Sequence, residues 1–472
     1  MTAAAVRPPT SADDPAENTP PNNAPPNDTP PKNSPAENSP PKNSPPENTP
    51  PPSLWHNVDF LKFWLGETIS LFGTQVTALA LPLTAVTVFH ASDGQVGLLR
   101  FLQLAPYLLL ALLFGAVVDR MRRRRVLLLA NGARMVLIGL IPLLSATHHL
   151  TLGLLLGLAA AIGVFSVLFD VSWMAFVPTV VRDSRSFVEA NQKTGVTASA
   201  ADVAGPGVAG AVIGALTAPT ALAVDAASYL VSLVTLLWIR TPEARPPGPS
   251  ETTARRSIAA EIRDGLRFVF GHRVLRPLAL VGPFSNFALV SVWTMFLLYA
   301  SRDRGLSPAQ IGLVFSMSSL GGLLGATLSR RVIARFRFGL VYAVSMGAMF
   351  AGPVLIPLAG GPRAAQLAVF IAAFFISYLG LGIANIVVIS IRQAATPAPM
   401  MGRMTAAFRT LLFGGGSLGG LVGGLLAGSL GAREALAVVG TGSLLMLVPL
   451  ALSPVSRLRT QSEVSAGATA EA

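Results

Sequence analysis

Six ionisable side chains stand inside long apolar runs of this chain: Glu67, Arg100, Arg134, Asp170, Asp202 and Asp225. Placing a charge at the centre of a hydrocarbon layer costs ~2.5–3.5 kcal/mol on insertion scales, so a residue of this kind is a functional candidate by default. A carboxylate removed from water holds its proton more tightly and can load and release it within a working cycle. Glu67, Asp170, Asp202 and Asp225 are the candidates for that proton-coupling role, and Arg134 is the embedded cation with which any of them can pair. For each, the alternative is a structural hydrogen bond or ion pair. Glu67 and Asp225 lie about two turns inside their runs and Asp202 stands beside a proline, so each is expected to reach a central cavity. The second half of the chain offers only Asn286, Asn385 and, at the ends of runs, Arg392 and Arg409.

Other chemistries find little support. Without a cysteine there is no thiolate metal site and no thiol nucleophile. His56, His90, His148, His149 and His272 fall in breaks or at run ends, and no metal site is expected from them. No phosphate-binding glycine loop, no nucleophile elbow and no paired histidine ligands occur, so neither an enzyme nor an ATP-driven pump is expected. No cofactor is expected either, which leaves a proton gradient as the energy source.

Two short motifs bear on movement rather than catalysis. The segment Gly115-Ala-Val-Val-Asp119-Arg120-Met-Arg-Arg123-Arg124-Arg125 sets one acid into a run of arginines at the end of an apolar run. A basic stop would serve topology by itself, but it has no need of Asp119, and an acid among cations can form a breakable lock. Further on, Gly205-Pro206-Gly207-Val-Ala-Gly210 is followed by Gly214. Pro206 has no N–H to give the carbonyl of Asp202, so a bend is expected there. Small residues four apart let another helix approach closely.

These residues must be carried by something that spans hydrocarbon. A core of ~30 Å takes ~20 apolar residues per helix, and runs of that size fall near 60–89, 96–118, 126–147, 150–180, 195–217, 219–239, 277–300, 308–329, 338–359, 364–390, 408–430 and 432–454. An all-α membrane protein with twelve transmembrane helices is expected. The even-numbered breaks hold most of the arginines, and basic residues stay on the cytoplasmic side, so both termini are expected in the cytoplasm. The longest break, 240–276, divides the body into two six-helix bundles, 54–240 and 277–455, with a linker at 241–276. In that linker Ile258, Ile262, Leu266, Val269 and Phe270 recur at helical spacing, which predicts an amphipathic helix lying on the inner membrane surface.

Only 12% of the 472 residues are charged, against about a quarter in soluble proteins, and 51% are apolar. Seventeen of the 37 prolines crowd into residues 1–52, where PPNNA, PPNDT, PPKNS, PAENS, PPKNS and PPENT follow one another. With almost nothing apolar to bury, 1–53 is expected to be a disordered tail, as is 456–472. Past residue 52 there are 32 basic against 17 acidic residues. That excess is distributed over the breaks as topology requires, so no nucleic-acid partner is expected. The expected partners are a small-molecule substrate, protons and membrane lipids, with the chain acting as a monomer.

The arginine-rich segment resembles the loop signature of the major facilitator superfamily, G-x-L-A-D-R-x-G-R-K/R. Gly115, Asp119, Arg120, Arg123 and Arg124 match it, while Val117 replaces the Leu and Arg122 the second Gly. The resemblance implies two six-helix bundles working by alternating access, with Gly115, Asp119, Arg120, Arg123, Arg124 and Arg409 as a conformational lock in which Asp119 meets the start of the eleventh span near Arg409. Gly205, Pro206, Gly207, Gly210 and Gly214 look like the antiporter motif of exporters in that superfamily, which implies outward transport against protons. Close packing alone is the other reading of those glycines. The runs FDVSWMAFVPTVV, EANQKTGVTASAADVAGPGVAG, VDAASYLVSLVTLLWIR and MGRMTAAFRTLLFGGGSLGGLVGG resemble bacterial multidrug and siderophore exporters over about residues 55–455. The function implied is proton-coupled efflux of small amphiphilic molecules, a drug or secondary metabolite. The alternatives are an importer or uniporter of the same fold and, less favoured, a non-transport membrane scaffold. The glycine-rich eleventh span is expected to parallel the fifth, as repeats would.

Overall fold

The computed structural model describes residues 54–118, 121–181, 186–243, 258–397 and 400–459. The expected disordered tail at 1–53, most of the proline-rich part of the linker, and Asp119 and Arg120 lie outside them. Among the described residues there are helices and no strands. The first half contains α1 (Val58–Thr87), α2 (Asp93–Val118), α3 (Arg123–Ala146), α4 (Leu152–Val180), α5 (Phe187–Leu216) and α6 (Ala218–Trp238). The amphipathic α7 (Ile258–Gly271) precedes α8 (Leu275–Leu298), α9 (Pro308–Arg335), α10 (Phe338–Leu355), α11 (Arg363–Ala394), α12 (Met401–Leu430), α13 (Ala432–Leu444), α14 (Leu447–Leu452) and the single turn α15 (Pro454–Arg457). Twelve spans are long and apolar enough to cross a bilayer, with α13 and α14 together forming the last.

The expected runs and the observed helices differ where local chemistry decides the ends. The second span starts at Asp93, not 96, because Ser92 and Gln95 cap it reciprocally: the N–H of Gln95 donates to Ser92 Oγ and the N–H of Ser92 to Gln95 Oε1. Ser307 and Gln310 do the same for α9, the second span of the other half. Both starts follow the capping-box pattern of a serine followed three residues later by a glutamine. The last run is broken after Leu444, since Pro449 cannot donate to the carbonyl of Leu445, which accepts from Val448 instead at 3.2 Å. Residues 456–459, expected to be disordered, run along α10, where the N–H of Gly339 donates to the Leu458 carbonyl at 2.9 Å.

The two halves pack by the same scheme. In the first, α1 packs on α5 and α6, α3 on α4 and α6, and α2 on α4. In the second, α8 packs on α12 and α13, α10 on α11 and α13, and α9 on α11. Between halves, α2 packs on α12 and α5 on α9, so the fifth span of each half meets the second span of the other. This bears out the expected parallel between the eleventh span and the fifth.

Within hydrocarbon no water drives helices together, so close packing of small residues must do it. On α1, Gly66, Ser70, Gly73 and Thr77 form a buried line facing Asp225, Ser228, Ser232 and Thr235 of α6. A side chain at Gly73 would run into Ser228 Cβ at 2.7 Å and into Asp225. The amphipathic helix at 258–271 forms as expected, but part of its apolar side is taken by protein: Val269 is fully buried and Gly265 lies against the backbone of Arg403 on α12. Overpacking a tight seam costs ~1–3 kcal/mol. Gly73→Leu is therefore expected to lower the thermal unfolding midpoint of the purified protein in detergent, whereas Gly157→Leu, which meets nothing within 4 Å, should leave it within error.

Candidate functional site

A cavity of ≈ 350 Å³ lies between the halves, walled by α1, α4, α5 and one residue of α12. From α1 come Trp64, Glu67, Thr68 and Leu71; from α4, Phe169, Asp170, Trp173 and Met174; from α5, Asn191, Thr194, Gly195, Thr197 and Ala198; from α12, Arg409. The spacings i, i+3, i+4 and i+7 on α1 and α5, and i, i+3 and i+4 on α4, are those of one helix face. All these positions fall in the part of each helix nearest the end that carries the α2–α3 and α4–α5 loops and α7, hereafter the basic end.

The cavity wall is held by bonds to residues outside it and across it. Trp64 Nε1 donates to Thr197 Oγ1 at 2.9 Å, which ties α1 to α5. Asp170 accepts from the Tyr107 hydroxyl of α2 at 2.8 Å, and Arg134 and Arg409 are the cations whose fields act on it. Tyr107 in turn stacks on Phe413 of α12 with centroids 4.5 Å apart. Glu67 has no hydrogen bond to its carboxylate among the described residues. Arg134 lies behind this wall, 5% exposed, with its guanidinium carbon 4.1 Å from the Tyr229 ring centroid and 4.8 Å from that of Phe169. One of its nitrogens donates to the Tyr229 hydroxyl, while Nε and Nη1 have no hydrogen-bond partner among the described residues.

The structure thus brings Glu67 and Asp170 to one cavity with Arg134 behind them, and places the other two carboxylates away from the cavity, although the field of Arg134 also reaches Asp225. Asp225, expected to reach a central cavity, does not line this one. It is fully buried between α1 and α6, where Thr77 and Ser228 donate their hydroxyls to it, because the small residues of α1 let α6 approach too closely to leave a space. Asp202 does not line the cavity either, and accepts from Gln75 Nε2 of α1 at 2.9 Å. Arg100 spreads over Trp293 of α8 at 4.8 Å, with its Nε unpartnered. Met295 and Phe374 are buried, and Phe296 meets Phe315, Phe370 and Phe374 edge to face.

Of the expected lock, Gly115 lies in the last turn of α2 with no described residue close to it, and Asp119 and Arg120 lie outside the described residues. Arg124 binds within its own half, donating to the carbonyls of Leu236 and Leu237 at the end of α6, while Glu243 accepts from the N–H groups of Arg123 and Arg124 at the start of α3. Each partner sits where a helix terminus favours its charge. Arg409, expected beside the loop, points into the cavity, 3.6 Å from Met174 Sδ.

The glycine motif of α5 lies at the opposite end and contacts the other half. The N–H of Gly207 donates to Ser316 Oγ of α9 at 2.8 Å. Gly210 lies against the backbone of Pro308 and Ala309, Gly312 of α9 against the Pro206 carbonyl, and Gly205 against Gln75; Gly214 meets nothing. On the other side Gly97 of α2 lies against Gly420 and Gly424 of α12. Asp93 at the start of α2 pairs with Arg302, which a π-helical turn after α8, Tyr299–Asp303, carries across the seam. The molecule is therefore closed at the end opposite the cavity.

A model of the Major Facilitator Superfamily matches residues 63–419 and 280–470. The chain belongs to that superfamily. It is a multi-pass plasma-membrane transporter and not an enzyme. It is similar to the multidrug efflux pump Tap of Mycolicibacterium fortuitum, 25% identical over 82% of this chain and 93% of that one. It is also similar to the enterobactin exporter EntS of Salmonella paratyphi A, 26% identical over 86% and 95%. In fold it resembles the nucleoside transporter NupG, with a TM-score of 0.68 at 12% identity over 84% and 98%. A bacterial homologue of Spinster in an inward-facing, unoccupied conformation gives 0.61 at 16% over 88% and 97%.

The closure has two kinds of contact of unequal weight. A partly exposed ion pair such as Asp93–Arg302 contributes ~1 kcal/mol, whereas a side chain inserted at a backbone-to-backbone contact forces the helices apart. Asp93→Asn should therefore change labelling of a Ser316→Cys reporter, a buried seam position that already carries a side chain, by no more than ~5-fold, and Gly97→Leu should raise it well beyond that. Equal effects of the two substitutions would contradict the weighting.

Proposed function

We propose that this transporter exports small amphiphilic molecules by alternating access, driven by protons moving inward. The observation that carries the reading is the cavity with Glu67 and Asp170 on its wall, set at the basic end of a molecule whose other end is shut by glycine-to-backbone contacts. Lys and Arg favour the cytoplasmic side, so the basic end faces the cytoplasm, both termini lie there, and the conformation is inward-facing. The mixture of rings, hydroxyls and carboxylates in the wall suits a ligand with an apolar body and a polar part. Similarity to two exporters supports the outward direction.

In this reading Glu67 and Asp170 are the proton-handling pair at the cavity, and Arg134, shared between them and Asp225, sets their balance. Asp225 and Asp202 are coupling residues of a second rank, because each is engaged by neighbours away from the cavity. One proton crossing ~150 mV supplies ~3.5 kcal/mol, enough for a gradient of a few hundredfold.

In everted vesicles, a transported compound should partly collapse a preformed pH gradient, and Glu67→Gln should abolish the effect while Asp202→Asn weakens it less. Transport that persists unchanged in Glu67→Gln, Asp170→Asn, Asp202→Asn and Asp225→Asn would rule out proton antiport. Orientation has its own test, helped by the absence of native cysteine. His149→Cys should react with an impermeant maleimide in intact cells, and Arg267→Cys only after permeabilisation; the reverse pattern would invert the topology.

A further inference from the structure

Arg100 stands on α2 one turn from Gly97, on the side toward the cavity, and crosses from one half of the molecule into the other. Its stem lies against α12, where a Cβ at Gly420 would come within 2.8 Å of Arg100 Cγ. Its guanidinium carbon sits 4.8 Å from the ring centroid of Trp293 on α8, and its field acts on Tyr378 of α11. Three helices of the second half thus face a cation carried by the first.

That half has no anion to offer it. Between residues 277 and 452 the acids are Asp303 and Glu434, both at the ends of spans. Among the described residues no carboxylate pairs with Arg100: Nη1 donates to Gln103 Oε1 of the same helix at 3.2 Å, and Nε is buried without a hydrogen-bond partner. A charge taken out of water without a counter-charge is costly, and an aromatic face offsets only part of that cost. Replacing such a charge with an apolar side chain of similar size often stabilises the packed state. The closed end is therefore held by its glycine contacts against the unpaired charge of Arg100.

Parting of this seam would withdraw Arg100 from Trp293 and Gly420 and return it to water. The same face of α2 reaches the cavity wall, since Arg100, Gln103 and Tyr107 recur at helical spacing and Tyr107 meets both Asp170 and Phe413 of α12. We propose that Arg100 is a built-in opening element: an unpaired cation that the closed seam tolerates and that biases the transporter toward the state open at the end opposite the cavity. Arg100 does not line the cavity and acts through its burial in the seam, so it is a positioning residue of the cycle. This role rests on alternating access and is independent of the compound carried and of its direction. A contact across a seam is ordinarily a latch whose removal lets the halves part, so the two roles differ in sign.

The rate at which a maleimide labels Ser316→Cys in the purified full chain reports opening at this end, because Ser316 is buried on the α5–α9 seam and no native cysteine competes. Arg100→Met, which keeps the length and removes the charge, is expected to slow labelling at least ~5-fold. Arg100→Gln should slow it as well. Arg100→Lys, which keeps a charge and loses the planar contact with Trp293, should label as fast as the parent or faster. Damage to packing exposes a seam, so a slower rate is not what a merely structural role would give. Faster labelling in Arg100→Met or Arg100→Gln would make Arg100 a latch and overturn the proposal, as would rates unchanged in both. An Arg100→Met protein that fails to fold, or unfolds earlier on heating, would also count against it, because removal of the charge should not weaken the closed state. If labelling slows as expected but no compound collapses a pH gradient in everted vesicles, proton-driven export fails and the opening element stands. If export is found while Arg100→Met labels faster, export stands and the opening element fails.

Discussion

The two halves of the molecule touch through backbone where they are closed. Gly97 against Gly420 and Gly424, and Gly210 and Gly312 against the backbones of α9 and α5, bring helices closer than any side chain would allow. Such contacts cannot yield gradually: they are made or they are broken. A seam of this kind therefore suits two discrete states, since packed interfaces are bistable rather than continuously deformable. The ion pair Asp93–Arg302 sits at the edge of the seam and adds register more than strength. The cavity follows from the same constraint. Halves held together at one end, and not pressed together by comparable glycine contacts at the other, leave a space in the basic half of the bundle.

Inside each half, side-chain bonds are added to glycine contacts. Helices of the first half are fastened by hydroxyls, glycines and a few buried charges, because in hydrocarbon a polar group left alone costs more than its bond gains. Asn131 donates to Ser232, Thr74 bonds to Tyr229, and Arg134 lies between Tyr229 and Phe169. The second half adds aromatic edges around Phe296 and serine and asparagine bonds to carbonyls such as Asn286 to Leu412, and its helices also meet through glycine, as in Gly325 against Leu379 and Gly380 against Ser345. The same packing scheme is built twice from different chemistry. Among the described residues that line the cavity, the carboxylates come from the first half and the cation Arg409 from the second, while both halves supply the glycines of the closure.

The glycine-proline motif illustrates how one segment serves both demands. Pro206 leaves α5 continuous from Phe187 to Leu216, and its carbonyl receives the close approach of Gly312. Gly207 has an N–H to spare for Ser316 across the seam. Asp202, one turn earlier on α5, is tied to Gln75 of α1, so a shift of α5 against α9 is felt by a carboxylate in the same half. Close packing and a link to a titratable group were alternatives when read from residues; in three dimensions they are neighbouring parts of one helix.

The sequence alone determined the number of spans, the split into two halves and the residues that carry charge into the membrane, because hydrophobic length and charge exclusion are local properties. It also held the faces of the cavity, legible at i, i+3 and i+4 spacing in Trp64, Glu67 and Thr68 and in Asp170, Trp173 and Met174, although periodicity does not say which of several faces turns inward. It did not separate Asp225 from Glu67, two carboxylates at similar depth, nor show that Arg409 points at the cavity and Arg124 at its own half. Those distinctions depend on which helix lies opposite, and that is set by the pairing of α1 with α6, α2 with α12 and α5 with α9. Contacts between residues 100 or more positions apart are not written in any window of sequence, so only the tertiary structure decided which charges are buried as structure and which face the cavity.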